Sequence, residues 1–184
     1  MKTAELQEKG QFVKTDEHSD LPEGATFNPA SGELLALVAQ QPLFKGLDER
    51  LIELLADSIL EMRFKSGDWI YRQGDPANRF YLILKGKILI ESEVKERGVL
   101  PIRTLGPGDD LGWAWLFPPY RMHFNARVVD STRTIFFYGT RLREKCEANH
   151  EFGYQLMKRV AEVVVRNLHA TQQRLLECTG TISL

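Results

Sequence analysis

Two segments near the beginning of the chain carry apolar residues at helical spacing. In the first, Ser31 is a suitable N-cap, and aliphatic residues recur behind it at positions 34, 35, 37 and 38. In the second, Asp48 takes the cap position, and the aliphatic residues at helical spacing are Leu51, Ile52, Leu54, Leu55 and Ile59. The pattern therefore predicts a pair of short helices.

The pattern changes between Glu61 and Tyr138, where short β-rich runs alternate with glycines. The predicted strands are Met62–Lys65, Trp69–Tyr71, Phe80–Lys85, Lys87–Glu93, Leu100–Leu105, Ala126–Val129 and Thr134–Tyr138. Gly86 stands between two of them with a lysine on each side. This arrangement predicts a tight turn, because glycine adopts positive φ readily. Regular turns between short strands indicate a mainly β barrel or sandwich.

Helical spacing returns after Tyr138. We expect a short helix from Thr140 to Glu147 and a long helix that Asn149 caps and that runs to about Glu177. The long helix has two apolar faces. One consists of Leu156, Val160 and Val163, and the other is a heptad-like seam of Met157, Ala161, Val164, Leu168, Thr171, Leu175 and Cys178. We expect the first face to pack on the β part and the seam to form a homodimer. The alternative is one wide face packed within a single subunit.

Residues 1–30 differ in composition from the rest of the chain. They hold three lysines, six acidic residues and an isolated apolar pair, Phe12 and Val13. Such a segment buries too little apolar surface to offset its ordering entropy, so we expect a flexible tail. The predicted organisation is a tail at 1–30, a helix pair, barrel and short helix at 31–148, and a C-terminal dimerisation helix at 149–184.

Composition and charge narrow the classes of function. Of the 184 residues, 43% are apolar and 27% charged, which is typical of a soluble globular protein. The formal net charge of −1 gives no general attraction to nucleic acid or to an anionic membrane. Two cysteines, Cys146 and Cys178, are too few for a disulfide framework, so we expect a reducing cytoplasm. No apolar run approaches the roughly 18 residues of a membrane span.

Catalytic motifs do not stand out in the sequence. The four histidines are His18, His123, His150 and His169, and only His123 lies in the β-rich part. Metal chemistry needs two or more histidines that converge with a carboxylate. No nucleophile elbow and no phosphate-loop motif is visible. We therefore expect a non-catalytic protein without a metal.

Three ordered segments carry a resemblance to a known family. They are the GDWIYRQGD run at 67–75, the segment 77–88, and the LGPGD turn at 105–109. With the order of helices and strands, residues 40–178 resemble the cyclic nucleotide-binding domain of the catabolite activator and protein kinase A regulatory family. The resemblance implies a mainly β fold with flanking helices, in which a β-roll (jelly-roll barrel) follows a helix pair and precedes a long C-terminal helix. Activators of this family carry a DNA-reading module after that helix. Only residues 179–184 follow here, so we expect no direct DNA binding.

The resemblance also implies a phosphate-binding cassette between residues 108 and 128. In the family, a glutamate after a glycine binds the ribose 2′-hydroxyl, and an arginine further along pairs with the cyclic phosphate. Here Gly112 matches the glycine, Trp113 stands at the glutamate position, and His123 or Phe124 stands at the arginine position. The candidate ligand-binding residues are Gly112, Trp113, Ala114, Arg121, His123 and Arg127.

These departures leave three interpretations of the pocket. In the first, Arg121, His123 or Arg127 binds another nucleotide-like or anionic ligand, on which Trp113 or Trp115 stacks. In the second, the tryptophans fill the pocket and the domain only assembles with other proteins. In the third, a rearranged loop lets Arg121 bind ordinary cyclic nucleotides.

Several of these residues also fit purely structural roles. The aromatic and aliphatic run Trp113, Trp115, Leu116 and Phe117 also fits a buried core. Arg127 also fits an ion pair with an acid such as Asp109 or Asp110.

The predicted function is a sensor that acts on a protein effector, with a cyclic nucleotide or other nucleotide as ligand. The alternative is a ligand-free accessory subunit of a larger complex, such as a redox enzyme.

Overall fold

The computed structural model describes the backbone of residues 26–29 and 31–180 and the side chains of residues 31–177. Its elements in chain order are β1 (Thr26–Pro29), α1 (Gly32–Gln40), α2 (Glu49–Glu53), β2 (Ile59–Phe64), β3 (Trp69–Tyr71), β4 (Arg79–Val94), β5 (Gly98–Leu105), β6 (Asp110–Leu111), a 3₁₀ turn (Trp113–Trp115), β7 (Asn125–Tyr138), α3 (Gly139–Ala148) and α4 (His150–Gly180).

The strands form one antiparallel sheet in the order β1–β2–β7–β4–β5, with β3 paired to β7 and β6 paired to β4. Among the described strands, β1 and β5 end this order and do not pair with each other. The sheet is therefore an open roll. This confirms the predicted mainly β roll with flanking helices, but the roll does not close into a barrel.

The predicted turn at Gly86 is wrong, because β4 continues through it. Gly86 has a φ of 99°, and a Cβ built there would lie 2.3 Å from Thr132 Oγ1 and 2.6 Å from the Ser131 carbonyl oxygen. The register between β4 and β7 also shifts around this point. Glycine here allows a bulge and a close approach of two backbones. The two halves predicted for β7 likewise form one strand.

Two hydrophobic cores lie on opposite faces of the long strands. The helix core, between the sheet and the helices, contains Leu34, Val38, Leu43, Phe44, Leu51, Ile52, Leu55, Ile59, Phe80, Leu82, Trp115, Ile135, Phe137, Leu142, Phe152, Leu156, Val160 and Val163. The roll core contains Met62, Phe64, Ile70, Tyr71, Ala77, Tyr81, Ile83, Ile88, Ile90, Leu105, Leu111, Met122, Ala126, Val128 and Phe136. Along β4, Phe80 and Tyr81 belong to different cores, since successive strand residues point to opposite faces.

The three predicted helix caps are confirmed by their hydrogen bonds. The Ser31 hydroxyl accepts from the Leu34 N–H at 3.2 Å, and an Asp48 carboxylate oxygen accepts from the Arg50 N–H at 2.9 Å. The Asn149 side chain accepts from the N–H of residue 152 at 3.0 Å. The second helix is shorter than the apolar spacing predicts, because α2 ends at Glu53 and residue 59 already belongs to β2.

The long helix α4 has the two faces that its sequence predicts. Leu156, Val160 and Val163 are buried in the helix core. In the seam, Val164 and Leu168 are 53% and 54% exposed in the single chain. The Cys178 side chain lies outside the described residues. Met157, the first residue of the predicted seam, is half-buried and packs against the helix core, so the exposed part of the seam begins after it. Dimerisation stays a prediction.

The predicted tail needs a correction at its end. Residues 26–29 form β1, which pairs with β2 from Thr26 opposite Arg63 to Pro29 opposite Leu60. Backbone pairing to a strand edge orders these residues without a long apolar run, and composition alone does not detect it. Residues 1–25 and residue 30, including Phe12 and Val13, lie outside the described residues.

The bulge at Gly86 gives a stability test. We expect Gly86→Ala to lower the free energy of unfolding by about 2–4 kcal/mol, because it adds positive-φ strain to an overlap with β7. Gly98→Ala is the matched control. Gly98 also has positive φ, 72°, but no atom lies within 4 Å of its built Cβ. Its loss should be about 1–2 kcal/mol. Equal losses in urea denaturation of the two variants would contradict the close approach.

Candidate ligand-binding site

Gly112 connects β6 to the 3₁₀ turn at the start of the predicted cassette. Its φ is 94°, and a Cβ built there would lie 2.6 Å from the carbonyl oxygen of Arg79 on β4. The β4 backbone leaves no room for a side chain at this position. Gly112 therefore lets the chain pass close to β4 just before the 3₁₀ turn, which starts with Trp113 and Ala114.

These next residues face different cores. Trp113 packs on the helix core, with its ring centroid 4.5 Å from that of Phe80, whereas Ala114 packs on the roll core. Trp115 is 1% exposed and belongs to the helix core, as expected for a core residue. Both tryptophans therefore fill space between roll and helices, outside the roll core. Phe117 is 66% exposed, so its assignment to the core is wrong.

A hydrogen bond ties the Trp113 indole to β6. Its Nε1 donates to Asp110 Oδ1 at 2.7 Å. Burial raises the pKa of the Asp110 carboxyl, and the hydrogen bond from Trp113 partly opposes this rise. A carboxylate thus stands beside Trp113, but it is already engaged by the indole.

The predicted cations Arg121 and His123 lie beside the connection between β3 and β4. Arg121 is exposed, and its Nη1 donates to the Gly74 carbonyl oxygen at 3.1 Å. Residue 121 also forms an isolated bridge with Pro76. His123 is exposed as well. The chain places these two residues at the opposite end of the loop from Trp113.

Arg127 forms an ion pair, as one of its two interpretations holds, but the partner is Glu91. The Arg127 Nη2 lies 3.1 Å from Glu91 Oε2, and the Glu91 side chain is only 2% exposed. The acids named as its partners have other roles. Asp109 Oδ2 accepts from the Gly106 N–H at 2.8 Å, and Asp110 accepts from the indole described above. Arg127 compensates a buried carboxylate and is not a free cation.

Sequence reasoning missed Arg103, a half-buried arginine on β5. Its Nη1 donates to Asn167 Oδ1 on α4 at 3.0 Å. Residue 103 pairs with Ile90 and residue 105 with Ile88, so the run Arg103–Leu105 presents its odd positions to the roll core. The alternation with buried Leu105 is the sequence signal that points to Arg103. No sequence signal points to its partner Asn167, because α4 is distant along the chain.

Polar side chains gather around Arg103 where the roll meets α4. The positive charges of Arg103 and Arg166 favour the ionised form of Asp110, so they partly oppose the rise in its pKa that burial causes. Burial raises the pKa of the Tyr71 hydroxyl, which Arg103 again opposes. Tyr71 therefore presents a neutral hydroxyl to the roll core. The candidate site is this group: Tyr71, Arg103, Asp110, Trp113 and Asn167.

The sequence and the fold of this chain both resemble those of known proteins. Residues 61–149 match the family model of the cyclic nucleotide-binding domain. This part of the chain belongs to the cyclic nucleotide-binding domain family. A solved cyclic nucleotide-binding-type protein of Geobacter metallireducens superposes with a TM-score of 0.66 at 26% identity, over 73% of this chain and 97% of that one. The resemblance seen in the sequence is confirmed.

Two curated relatives are much longer than the matched region. Cyclic nucleotide-gated ion channel 1 of Arabidopsis thaliana is 31% identical over 64% of this chain and 16% of the channel. A CRP-like cAMP-activated global transcriptional regulator of Mycobacterium tuberculosis is 23% identical over 79% of this chain and 63% of the regulator. This chain therefore spans less than two thirds of the length of either relative.

Two kinds of feature are absent from residues 26–29 and 31–180, the part of the chain that the structure describes. No helix there combines the length and apolar character needed to cross a bilayer. No group of three or more His, Cys, Asp or Glu side chains there is arranged to hold a metal ion.

The raised pKa of Asp110 predicts a pH-dependent stability. The folded protein holds this proton more tightly than the unfolded chain, so ionised Asp110 lowers the free energy of unfolding above its pKa. Asp110→Asn keeps a carbonyl acceptor for Trp113 and removes the buried charge. We expect it to raise the free energy of unfolding at pH 7.5, with a gain that shrinks as pH falls through the Asp110 pKa.

The control is Asp130→Asn, which removes an exposed carboxylate 3.6 Å from Lys87. It should change stability little at either pH. Denaturant titrations at pH 4 and 7.5 measure both variants. A loss of stability in Asp110→Asn at pH 7.5 would show that the ionised carboxylate stabilises the fold.

Proposed function

We propose that this chain is a non-catalytic regulatory domain in which a nucleotide-like or other anionic ligand in the roll acts on α4 through Arg103 and Asn167. The observation that supports this is the 3.0 Å hydrogen bond between the two side chains, which joins an edge strand of the roll to the long helix. A ligand that pairs with Arg103 would compete with Asn167 for the guanidinium. Binding would then favour a different position of α4.

The ligand we propose is not held as the family holds cyclic nucleotides. Trp113 stands where the ribose-binding glutamate belongs, and Phe124, at or next to the arginine position, is 44% exposed. Arg121 and Arg127 are engaged by a carbonyl oxygen and a carboxylate. Arg103 is a permanent cation at the border of the roll core, where an anion would find a forked donor.

The output of the domain would pass through α4. On this helix the apolar side chains Val164 and Leu168 are 53% and 54% exposed in the single chain. We propose a homodimer along this seam and a protein effector that responds to its position, in a cytoplasmic setting. The absence of direct DNA binding stays a prediction.

A ligand-free accessory subunit is the second candidate. What favours it is exposed apolar surface on the edge strand β5, where Val99, Leu100 and Ile102 are 54%, 37% and 42% exposed. Such surface on an edge strand suits a protein partner. A pure assembly role would need no ligand in the roll.

Calorimetry with cyclic AMP and cyclic GMP tests the ligand. Without the two charged family contacts we expect dissociation constants of roughly tens of micromolar or weaker, at tenfold per 1.4 kcal/mol. Submicromolar binding would contradict this interpretation. If Arg121→Ala abolished such binding, the rearranged loop would be the right interpretation.

Native mass spectrometry then separates the sensor from the accessory subunit. A small molecule retained at about one per chain, lost in Arg103→Gln and kept in the exposed control Arg97→Gln, would support the sensor. An empty domain with a stable copurifying protein would support the accessory subunit.

The proposed dimer is tested by Leu168→Glu. This variant would place facing carboxylates in the seam and should weaken association by several kcal/mol, so that sedimentation shows a monomer. Gln173→Glu adds the same charge on the opposite face of α4 and should leave the dimer intact. An unchanged dimer in Leu168→Glu would place the interface elsewhere.

A further inference from the structure

A cavity of about 380 Å³ lies outside the roll, between the 3₁₀ turn with its following loop and the corner where α3 meets α4. The wall residues that matter for its chemistry are Trp115, Tyr120, Arg143, Glu147, His150 and Tyr154. The cavity is distinct from the group around Arg103. Its volume lies within the usual range for small-molecule sites.

Donors converge on this cavity from α3 and α4. The Arg143 guanidinium lies 4.6 Å from the Tyr120 ring centroid and donates one N–H to the Trp115 carbonyl oxygen. Since arginine has five N–H donors in a planar fork, further donors stay open to an anion. His150 is the first residue of α4, a helix of 31 residues. The N-terminal end of such a helix favours negative charge.

Trp115 supplies an independent observation. Its side chain is 1% exposed, and its indole Nε1 has no hydrogen-bond acceptor among the described residues. Buried donors in folded proteins almost always have a partner. Trp115 also lines the cavity, so a ligand acceptor that displaces the wall beside it would give this N–H a partner.

The remaining wall suits an aromatic ring next to an anion. Tyr120 and Tyr154 are 40% and 68% exposed. Burial raises the pKa of the Cys146 thiol to about 11, so the thiol adds no negative charge. Among the residues that line the cavity, Glu147 is the acidic one, and its charge opposes an anion. Removal of the Glu147 charge should therefore tighten the binding of an anion.

We propose that this cavity binds a small aromatic carboxylate, with the carboxylate on Arg143 and His150 and the ring against Tyr120 and Tyr154. Such a ligand would contact the loop after the 3₁₀ turn and the start of α4 together. It would therefore bias the position of α4 from outside the roll.

Benzoate is the probe, and benzamide is its neutral isostere. In ¹H–¹⁵N spectra of the full chain, with the Trp115 indole resonance assigned through Trp115→Phe, benzoate should shift that resonance saturably. Benzamide should bind at least about tenfold more weakly, because it lacks the charge that Arg143 pairs with. A linear, unsaturated response to benzoate, or equal binding of benzamide, would overturn the proposal.

Variants at the corner identify the cation. Arg143→Gln should weaken benzoate binding at least about tenfold. Arg141→Gln, on the same helix but over Tyr138 at 4.9 Å, should change it less than about twofold. Unchanged binding in Arg143→Gln would overturn the proposal.

Two further variants keep the test decisive. If Arg143→Gln fails to fold in a thermal melt, Glu147→Gln decides, because removal of the opposing charge should tighten benzoate binding about two- to fivefold. Unchanged or weaker binding there would overturn the proposal. Arg103→Gln should leave benzoate binding unchanged, and a loss there would place benzoate in the roll.

Discussion

The pairing of β4 with β7 is the constraint on which the rest of the fold depends. β2 and β3 pair with β7, β5 and β6 pair with β4, and β1 in turn pairs with β2. Both long strands contribute to the two cores, since neighbouring residues such as Phe80 and Tyr81 face opposite sides. At Gly86 the β7 backbone approaches so closely that a side chain would overlap it, so glycine keeps the two strands together at this point.

The candidate site follows from the same strand. Gly112 lies against the Arg79 carbonyl oxygen of β4, Asp110 belongs to β6 on β4, and Arg103 belongs to β5 on β4. One strand therefore fixes the relative positions of the cassette glycine, the buried carboxylate and the arginine. Two members of the group come from outside the sheet, Trp113 from the 3₁₀ turn and Asn167 from α4. In the proposed function, the hydrogen bond that the Asn167 side chain accepts from Arg103 would make α4 sensitive to what Arg103 binds.

Local sequence signals predict most of the elements but not their long-range pairings. The Lys–Gly–Lys sequence at 85–87 is equally compatible with a turn and with a bulge. Pairing with β7, which is distant along the chain, decides for the bulge. The family resemblance locates Gly112 but not the direction of Trp113, because neighbouring residues of a 3₁₀ turn point about 120° apart. The pairing of Arg127 with Glu91 depends on shifts in the β4–β7 register, which the sequence pattern does not encode.

The sequence predicts that both family anchors are replaced, but the proposed signal from the roll to α4 does not need them. Two interactions stabilise the ionised Asp110 carboxylate. The Trp113 indole donates a hydrogen bond to it, and the positive charge of Arg103 attracts it. Arg103 also donates a hydrogen bond to Asn167 on α4. A ligand that drew the Arg103 guanidinium away would weaken both the contact with α4 and the compensation of Asp110. The hydrogen bond to Trp113 would then carry more of that compensation, so the 3₁₀ turn and α4 would respond together. Coupling of this kind depends on Arg103, Asp110 and Asn167, which lie outside the two anchor positions, and on Trp113, which stands at one of them in place of the family's glutamate.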